Sequence, residues 1–312
     1  MVGWHLLSLL AVEIALYGAL GWYLRAERGW SLACSIGIAV AIYVGVRVIL
    51  IAAEFALAGW KGSAVPENLR IPRLDFIKMY LRELGGWLLM FGMVMPFIPA
   101  RRSVIDRPAS ADRNKRPILL VHGLGCNRGN WFWFRRELER RGYRVYTVDC
   151  TPPLTHVPNY APQIARAIDE ILESMAAKDL VLIAHSMGGL VCRAYLDEYG
   201  PGKVAHVITI GTPHLGTWMA RLGVGPNVRD MNLDSPWLAG LRERETSQSA
   251  RIHPEFTCVY TYHDNLVTPQ TNAVLPGSRS IALSGIGHLS LLLSRDVVTH
   301  VAGVLQDLVS IG

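Results

Sequence analysis

The sequence has few cysteines, and their positions match neither a metal site nor a disulfide scaffold. Its five cysteines are an odd number, and no C-x-x-C motif or histidine-rich cluster is present. Zinc sites and disulfide frameworks both depend on such spacing. We therefore assign no metal and no cofactor, and the cysteine pattern favours free thiols and a cytoplasmic compartment.

Charge and proline are scarce at the start of the chain. Only Glu13 is charged between Val2 and Leu24, and the run from Ser31 to Ala58 carries two charged residues and no proline. About 18 helical residues cover roughly 27 Å, close to a bilayer core of about 30 Å. We predict that residues 1–60 form two antiparallel transmembrane helices joined by a six-residue link. The lack of a basic region before the first run argues against a cleaved signal peptide.

The charged residues inside these runs bear on how the helices sit in a membrane. Arg47 is placed where its side chain can snorkel to the interface. Glu13 lies near mid-bilayer, where it needs protonation or a partner on the second helix or on another protomer. Arg25 and Arg28 in the link favour a cytoplasmic link, whereas four basic residues after the second run favour the reverse. The side of the membrane stays open.

Residues 61–115 are predicted to be a juxtamembrane segment and linker. Phe76 to Leu84 has the spacing of an amphipathic helix, and Trp87 to Pro99 is apolar but too short to span comfortably. Together they either lie in the membrane interface or pack against the domain that follows. The net charge of +6 beside a membrane favours anionic lipid head groups. It does not indicate nucleic-acid binding, since no such motif accompanies it.

The motif Ala-His-Ser-Met-Gly at residues 184–188 predicts a nucleophile. It follows the apolar run Leu180 to Ile183 and opens a helix-like stretch that begins at Gly189. Strand, sharp turn and helix form the context in which the serine of a G-x-S-x-G motif becomes reactive. We predict that Ser186 is the nucleophile, and the alternative is an ordinary glycine-rich turn.

A second glycine-rich turn lies upstream, where an oxyanion hole is expected. Val-His-Gly-Leu-Gly at residues 121–125 follows the strand-like run Pro117 to Leu120. Its glycines let the backbone curl so that an N–H points at the substrate oxygen. The N–H groups of Leu124 and Met187 are predicted to form the two-donor hole. The alternative is a plain strand-to-helix turn.

The base and the acid are expected after the serine, in the chain order Ser, Asp or Glu, His. His288 follows a strand-like run within a flexible loop, and Asp264 ends another such run, Phe256 to Tyr262. A carboxylate there can reach the imidazole Nδ1 and hold its tautomer. Asp149 precedes the serine and is interpreted as structural or site-lining. The histidines that flank the two glycine-rich turns, His122 and His185, are interpreted as packing or orienting residues.

These motifs, with Ile-Thr-Ile-Gly-Thr-Pro-His-Leu-Gly-Thr at residues 208–217, resemble bacterial triacylglycerol lipases of the α/β-hydrolase superfamily. A weaker likeness is to membrane-bound GPI-inositol deacylase-like hydrolases. The resemblance implies an α/β-hydrolase core over residues 116–312, with a mostly parallel sheet of about six strands and helices on both faces. Together with the two predicted transmembrane helices, it predicts a multi-pass protein of a bacterial inner membrane. It assigns the same site residues: Ser186, Asp264 and His288 as the triad, Leu124 and Met187 as oxyanion donors.

Two regions are predicted to contact substrate. Aromatic residues beside the oxyanion turn, including Trp131 and Trp133, either line an acyl-chain groove or pack a helix on the sheet. An insertion at about residues 214–251 is too long for a simple loop and predicts a cap or lid. His214 and Trp218 at its start are predicted to line the site.

The sequence therefore predicts a membrane-anchored serine esterase or lipase that acts on lipid esters. Three alternatives stay open: a phospholipase, an acyltransferase on the same triad, and a non-catalytic membrane interaction protein on a hydrolase scaffold. If the core beyond Pro117 is self-sufficient, it should hydrolyse a soluble ester without residues 1–100.

Overall fold

A six-stranded parallel sheet organises the C-terminal two thirds of the chain. The computed structural model describes residues 2–98, 115–247 and 254–310. The sheet has the strand order β2-β1-β3-β4-β5-β6, and every neighbouring pair is parallel. Its strands are β1 (Ile118–Val121), β2 (Val145–Val148), β3 (Leu180–His185), β4 (Val204–Ile210), β5 (Glu255–Thr261) and β6 (Arg279–Leu283).

Helices precede the sheet, cover both of its faces and form the insertion after β4. In chain order they are α1 (Val2–Arg28), α2 (Leu32–Lys61), α3 (Arg73–Trp87), α4 (Phe132–Glu139), α5 (Ala161–Met175), α6 (Met187–Tyr199), α7 (Pro226–Asp230), α8 (Pro236–Ser247) and α9 (Arg295–Ser310). A π-helical turn, Leu88–Val94, continues α3 and is called the π segment below. The predicted α/β architecture is confirmed.

Successive side chains along each strand point to opposite faces of the sheet, which divides the core into two layers. Leu119 and Leu182 point to one face, which α5 and α6 cover, while Leu120 and Ile183 point to the other. That second face is covered by α4 and α9. Because strands of a parallel sheet are buried on both faces, they read as continuous apolar runs. This is why the runs before Ser186 and before the oxyanion turn were recognisable in the sequence.

The first two helices form an antiparallel hairpin. Contacts run in opposite directions along the two helices: Gly21 lies near Ser35, Tyr17 meets Tyr43 at a ring-centroid distance of 6.3 Å, and Glu13 pairs with Arg47. Both helices are long and apolar enough to cross a membrane. The link is shorter than predicted, because α1 continues to Arg28 through good helix formers and ends at Gly29, which has φ +67°.

Two charged side chains meet inside the hairpin. Arg47 is buried and pairs with Glu13 across the helices. Its guanidinium also lies 4.0 Å from the ring centroid of Tyr43 and 5.1 Å from that of Trp87. Arg47 therefore does not snorkel to the interface as expected, since a carboxylate partner on the neighbouring helix and two aromatic faces hold it inside.

The end of α3 and the π segment pack on the domain formed around the sheet, as one of the two alternatives for residues 76–99 predicts. Met90 and the following Met95 are fully buried among core residues of the sheet. The side-chain amide of Asn127 donates to the carbonyl of Met95 at 2.8 Å. The outer side of α3 is exposed, with the apolar residues Leu74, Ile77 and Leu81 on it. Pro99, the last residue of the predicted stretch, lies outside the described residues.

The insertion after β4 forms a cap above the carboxyl ends of the strands. It comprises a 3₁₀ turn, Trp218–Leu222, followed by α7 and α8. The Asp230 carboxylate accepts the N–H of Val157 at 2.7 Å, and Glu245 pairs with the buried Arg193. These contacts fasten the cap to the helices below it. The end of the predicted insertion, residues 248–251, lies outside the described residues.

Candidate active site

Ser186 occupies the sharp turn between β3 and α6. Its backbone has φ 55° and ψ −129°, a conformation that residues other than glycine rarely adopt. A Cβ on Gly188 would lie 2.4 Å from the carbonyl oxygen of Val121, and one on Gly189 would lie 2.2 Å from Thr212 Oγ1. Small residues are therefore required after the serine so that α6 can approach the sheet.

Asp264 and His288 form a hydrogen-bonded pair at the carboxyl edge of the sheet. Asp264 follows β5 and His288 follows β6, and Nδ1 of the imidazole lies 2.8 Å and 3.0 Å from the two carboxylate oxygens. The same carboxylate accepts the N–H groups of Leu266 and Val267, each at 2.8 Å. It is thereby fixed as an acceptor, and the pairing leaves Nε2 of His288 available as a base.

The surroundings of His288 favour its charged form. Burial alone would lower the pKa of this imidazole, but the Asp264 carboxylate, with Glu83 and Glu54 beyond it, raises the pKa above the ordinary histidine value. A base whose charged form is stabilised takes up a proton readily during catalysis. Ser186 and His288 line the same cavity. No hydrogen bond joins them within the described part of the chain, and such contacts commonly tighten only when substrate binds.

The backbone N–H groups of Leu124 and Met187, the predicted oxyanion donors, have no acceptor within the described ranges. The Leu124 turn is pressed against the nucleophile, since a Cβ on Gly123 would lie 2.9 Å from the Cβ of Ser186. His122 braces this turn. Its Nδ1 lies 2.9 Å from the carbonyl oxygen of Gly123, and its Nε2 accepts the N–H of Cys150 at 3.0 Å. The arrangement offers two donors to an oxyanion.

The other predicted packing residues lie around this centre. His185 is buried, with Nε2 lying 3.2 Å from the backbone carbonyl oxygen of His288, and burial together with His288 holds its pKa well below the ordinary value. The Asp149 carboxylate accepts the N–H of Arg128 at 2.7 Å, beneath the oxyanion turn.

A cavity of about 210 Å³ joins these groups to the cap and to the N-terminal helices. The cap contributes mainly apolar residues, among them Met219, Val228 and Met231. The opposite wall comes from α2, α3 and the π segment, namely Ile51, Glu54, Glu83, Trp87 and Phe91. No local sequence pattern indicates this wall, although Glu54 is one of the two charged residues in the second apolar run.

The four residues predicted to bind substrate do not line this cavity. Trp131 is fully buried and packs edge-to-face on Phe134, with ring centroids 5.5 Å apart, and Trp133 also packs on the core. His214 is buried, and its Nε2 lies 2.9 Å from Thr209 Oγ1. Trp218 turns toward Trp60 at the end of α2, with centroids 6.4 Å apart. The aromatic cluster therefore packs a helix on the sheet, the second of the two alternatives.

Two further residues near the catalytic pair were missed in the sequence. Asn265 accepts the N–H of His288 at 3.0 Å, and its own amide donates to Glu54 at 2.7 Å. Glu83 accepts the N–H groups of Leu289 and Ser290 at 2.7 Å and 2.9 Å. Glu54 and Glu83 come from helices that precede the sheet, so no local sequence pattern pointed to them.

Comparison with known proteins places the fold. A family model described as the α/β-hydrolase fold matches residues 116–233. The crystal structure of the mature Bacillus licheniformis lipase BlEst2 superposes with a TM-score of 0.55 at 18% identity, covering 63% of this chain and 94% of that one. Aspergillus fumigatus lipase B gives a TM-score of 0.50 at 20% identity, with 62% and 55% covered.

Sequence relatives include lipases, which the chain matches over part of their length. A triacylglycerol lipase of Pseudarthrobacter phenanthrenivorans is 34% identical over 112 residues, which cover 33% of this chain and 35% of the relative. A (lyso)-N-acylphosphatidylethanolamine lipase of Homo sapiens is 25% identical over 203 residues, covering 55% and 59%. The parallel sheet, the strained serine and the family model define a protein of the α/β-hydrolase fold. Within that fold, the chain is lipase- and esterase-like.

Proposed function

We propose that this chain is a membrane-anchored serine hydrolase that cleaves carboxylic esters of lipids. The observation that carries the proposal is the shared cavity. Ser186 and His288 open into a mainly apolar space, one wall of which comes from α2 and the π segment. A site bounded by a candidate membrane helix is suited to a substrate that is itself held in a bilayer.

The chemistry follows from the positions of the site residues. Oγ of Ser186 attacks the ester carbonyl carbon while Nε2 of His288 takes the hydroxyl proton, and Asp264 stabilises the resulting imidazolium. The N–H groups of Leu124 and Met187 stabilise the oxyanion of the tetrahedral intermediate. His288 then gives the proton to the leaving alcohol. Water, activated by the same histidine, releases the acid from the acyl-enzyme.

Two observations support a lipid rather than a small polar ester. The cap residues that face Ser186 are predominantly apolar, as are Ile51 and Phe91 on the opposite wall. Two relatives are named for activity on lipids, one on triacylglycerol and one on an N-acyl phospholipid. Apolar walls on both sides favour burial of an acyl chain, at roughly 0.8 kcal/mol for each methylene removed from water.

Membrane attachment is proposed from α1 and α2. Both helices are long and apolar enough to span, and large apolar side chains such as Ile14 and Ile49, each 69% exposed, point away from the protein. Sodium carbonate extraction of membranes from expressing cells tests this. We expect the full-length protein to stay in the pellet, and release into the supernatant would rule out integral attachment.

Fluorophosphonate labelling tests the nucleophile. We expect Ser186→Ala to abolish both labelling and esterase activity, a loss on the order of 10⁴- to 10⁶-fold in rate. The matched control is Ser174→Ala, on an exposed turn of α5, which should label like the wild type. Labelling that persists without Ser186 would exclude it as the nucleophile. Release of free fatty acid from esters of graded chain length distinguishes hydrolysis from acyl transfer.

A further inference from the structure

A buried carboxylate of α3 holds the loop that carries His288. Glu83 is 1% exposed, and its two oxygens accept the N–H groups of Leu289 and Ser290 at 2.7 Å and 2.9 Å. Hydrogen bonds to an ionised acceptor are roughly twice as strong as neutral ones. We propose that Glu83 is a positioning residue, which fixes the catalytic histidine from outside the hydrolase sheet. This inference rests on the proposed function.

The loop is shaped to receive this carboxylate. A Cβ on Gly287 would lie 2.5 Å from Glu83 Oε2 and 2.7 Å from its Cδ, and the three nearest atoms all belong to Glu83. Glycine before His288 therefore permits the close approach of α3. If Glu83 did not bind this loop, residue 287 would have no need to be a glycine.

A second glutamate acts on the same histidine by a longer route. Glu54 of α2 accepts from the side-chain amide of Asn265 at 2.7 Å, and Asn265 accepts the N–H of His288 at 3.0 Å. His288 is thus held at its ring by Asp264, at its N–H by Asn265, and just beyond its carbonyl by Glu83. Two of these three supports depend on glutamates from the N-terminal helices.

The charge of Glu83 also acts on the imidazole. The groups that face His288 are the carboxylates of Asp264, Glu83 and Glu54 and the ring of His185. Burial lowers the pKa of His288, and the three carboxylates raise it. Burial raises the pKa of the Glu83 carboxyl, against the two backbone N–H groups and His288, which lower it. Removing the charge of Glu83 should therefore lower the pKa of His288.

The first experiment compares Glu83→Gln with the wild type in the full-length protein, in detergent micelles and with a short soluble ester. The amide keeps the shape but turns an N–H₂ toward a backbone N–H. We expect kcat to fall by about 10- to 100-fold with little change in KM, since small misplacement of a catalytic group has costs of this order. The acid limb of the kcat/KM profile should move to lower pH. The control is Glu67→Gln, which changes an exposed carboxylate before α3. This variant should change neither kcat nor the pH profile.

A double-mutant cycle keeps the inference testable if Glu83→Gln folds poorly. Gly287→Ala should reduce kcat in the wild-type background by clashing with the Glu83 carboxylate, and should cost little more once Glu83→Ala has removed that carboxylate. Losses that simply multiply would overturn the contact.

The outcomes also separate the two proposals. A wild-type kcat and pH profile for Glu83→Gln, in a protein that labels at Ser186, would overturn the positioning role and leave the proposed function intact. Wild-type protein that neither labels nor hydrolyses any ester would overturn both.

Discussion

At the scale of single residues, the backbone of Ser186 is under strain that the surrounding structure maintains. Its φ of 55° is unfavourable for a side chain with a Cβ. The turn is held by the N–H of Ser186, which donates to the carbonyl of Ile210 at 2.9 Å, and by Thr212 Oγ1, which donates to the carbonyl of Ser186 at 2.9 Å. Neighbouring strand ends therefore keep the hydroxyl presented to the cavity.

The acid assignment gives a prediction with an internal control. Asp264→Asn should lower kcat by about 10³- to 10⁴-fold, because His288 then adopts the wrong tautomer or orientation. Asp149→Asn should have a far smaller effect, since that carboxylate accepts the N–H of Arg128 beneath the oxyanion turn. Steady-state kinetics of the two variants on one ester provide the comparison. If Asp149→Asn proved the more damaging, Asp264 would lose its role.

The pH dependence of the same variant has a definite sign. The base must be neutral, so kcat/KM rises as His288 loses its proton, and Asp264 is the largest influence that raises the pKa of this imidazole. Asp264→Asn should move the acid limb to lower pH. Because the folded-state pKa is raised, the pair contributes stability that is fully present below the unfolded pKa. That contribution disappears as pH rises through the folded value.

Sequence reasoning reached some of these residues and missed others for a physical reason. Ser186, Asp264 and His288 sit at the ends of apolar strands in a fixed chain order, so local patterns located them, and the structure brings the latter two into contact. Glu83 touches Leu289 across a separation of 206 residues. No local sequence pattern indicates a contact across such a separation. Trp131 was misjudged because an aromatic side chain beside a site and one in a core look alike in sequence.

At the scale of elements, the π segment is part of the cavity as well as part of the core. Met90 points into the core, whereas Phe91 lines the cavity and stacks on Trp87 with centroids 5.2 Å apart. The extra residue of a π-helical turn changes which side chains share a face, and such turns are frequent at functional sites. This segment therefore sets the shape of the wall opposite the cap.

Replacing a large side chain of that wall with a small one should change which acyl-chain length the protein prefers. We expect Phe91→Ala to favour longer acyl chains, by about fourfold in relative kcat/KM for each methylene accommodated, since each contributes roughly 0.8 kcal/mol when buried. Competition between esters of different chain length measures the ratio. Met93→Ala, at a 69% exposed position of the same segment, is the matched control. An unchanged preference in Phe91→Ala would show that acyl chains do not reach this wall.

Element boundaries show what periodicity can and cannot specify. The last helix, Arg295–Ser310, has an apolar spacing and a polar start, and both are local features of the sequence. The amphipathic stretch at Phe76 to Leu84 was also recognisable as a helix. Which surface it would cover was not, since an apolar face suits a lipid interface and a protein core equally well.

At the scale of the whole molecule, residues 87–95 share one core with the hydrolase domain. Met95 is buried against residues of the sheet face, and the end of α2 is joined to the loop after β5, where Gln270 accepts the N–H of Ser63 at 2.7 Å. We therefore do not expect the part of the chain beyond Pro117 to fold and act without the N-terminal helices. Deleting residues 1–100 would expose apolar surface and remove Glu54 and Glu83, so we expect an aggregated and inactive product.

A cut chain offers a sharper test than a deleted one. A protease site inserted between residues 99 and 114 should allow cleavage without loss of activity, because contacts of the two pieces hold them together. Co-purification of the fragments in detergent and the rate on a soluble ester measure this. Cleavage that frees an active C-terminal fragment would show that the N-terminal helices serve only as an anchor.

For the membrane-spanning hairpin that we propose, the ion pair of Glu13 and Arg47 has a consequence for biogenesis. Alone, each helix would carry an uncompensated charge into hydrocarbon, at a cost of about 2.5–3.5 kcal/mol on insertion scales. Together they enter as a neutral pair, with the cation also resting against Tyr43 and Trp87. The hairpin is thus suited to partition as one unit in a single register. Since Trp87 also lines the cavity, we expect the register of the two helices to fix one wall of the cavity as well.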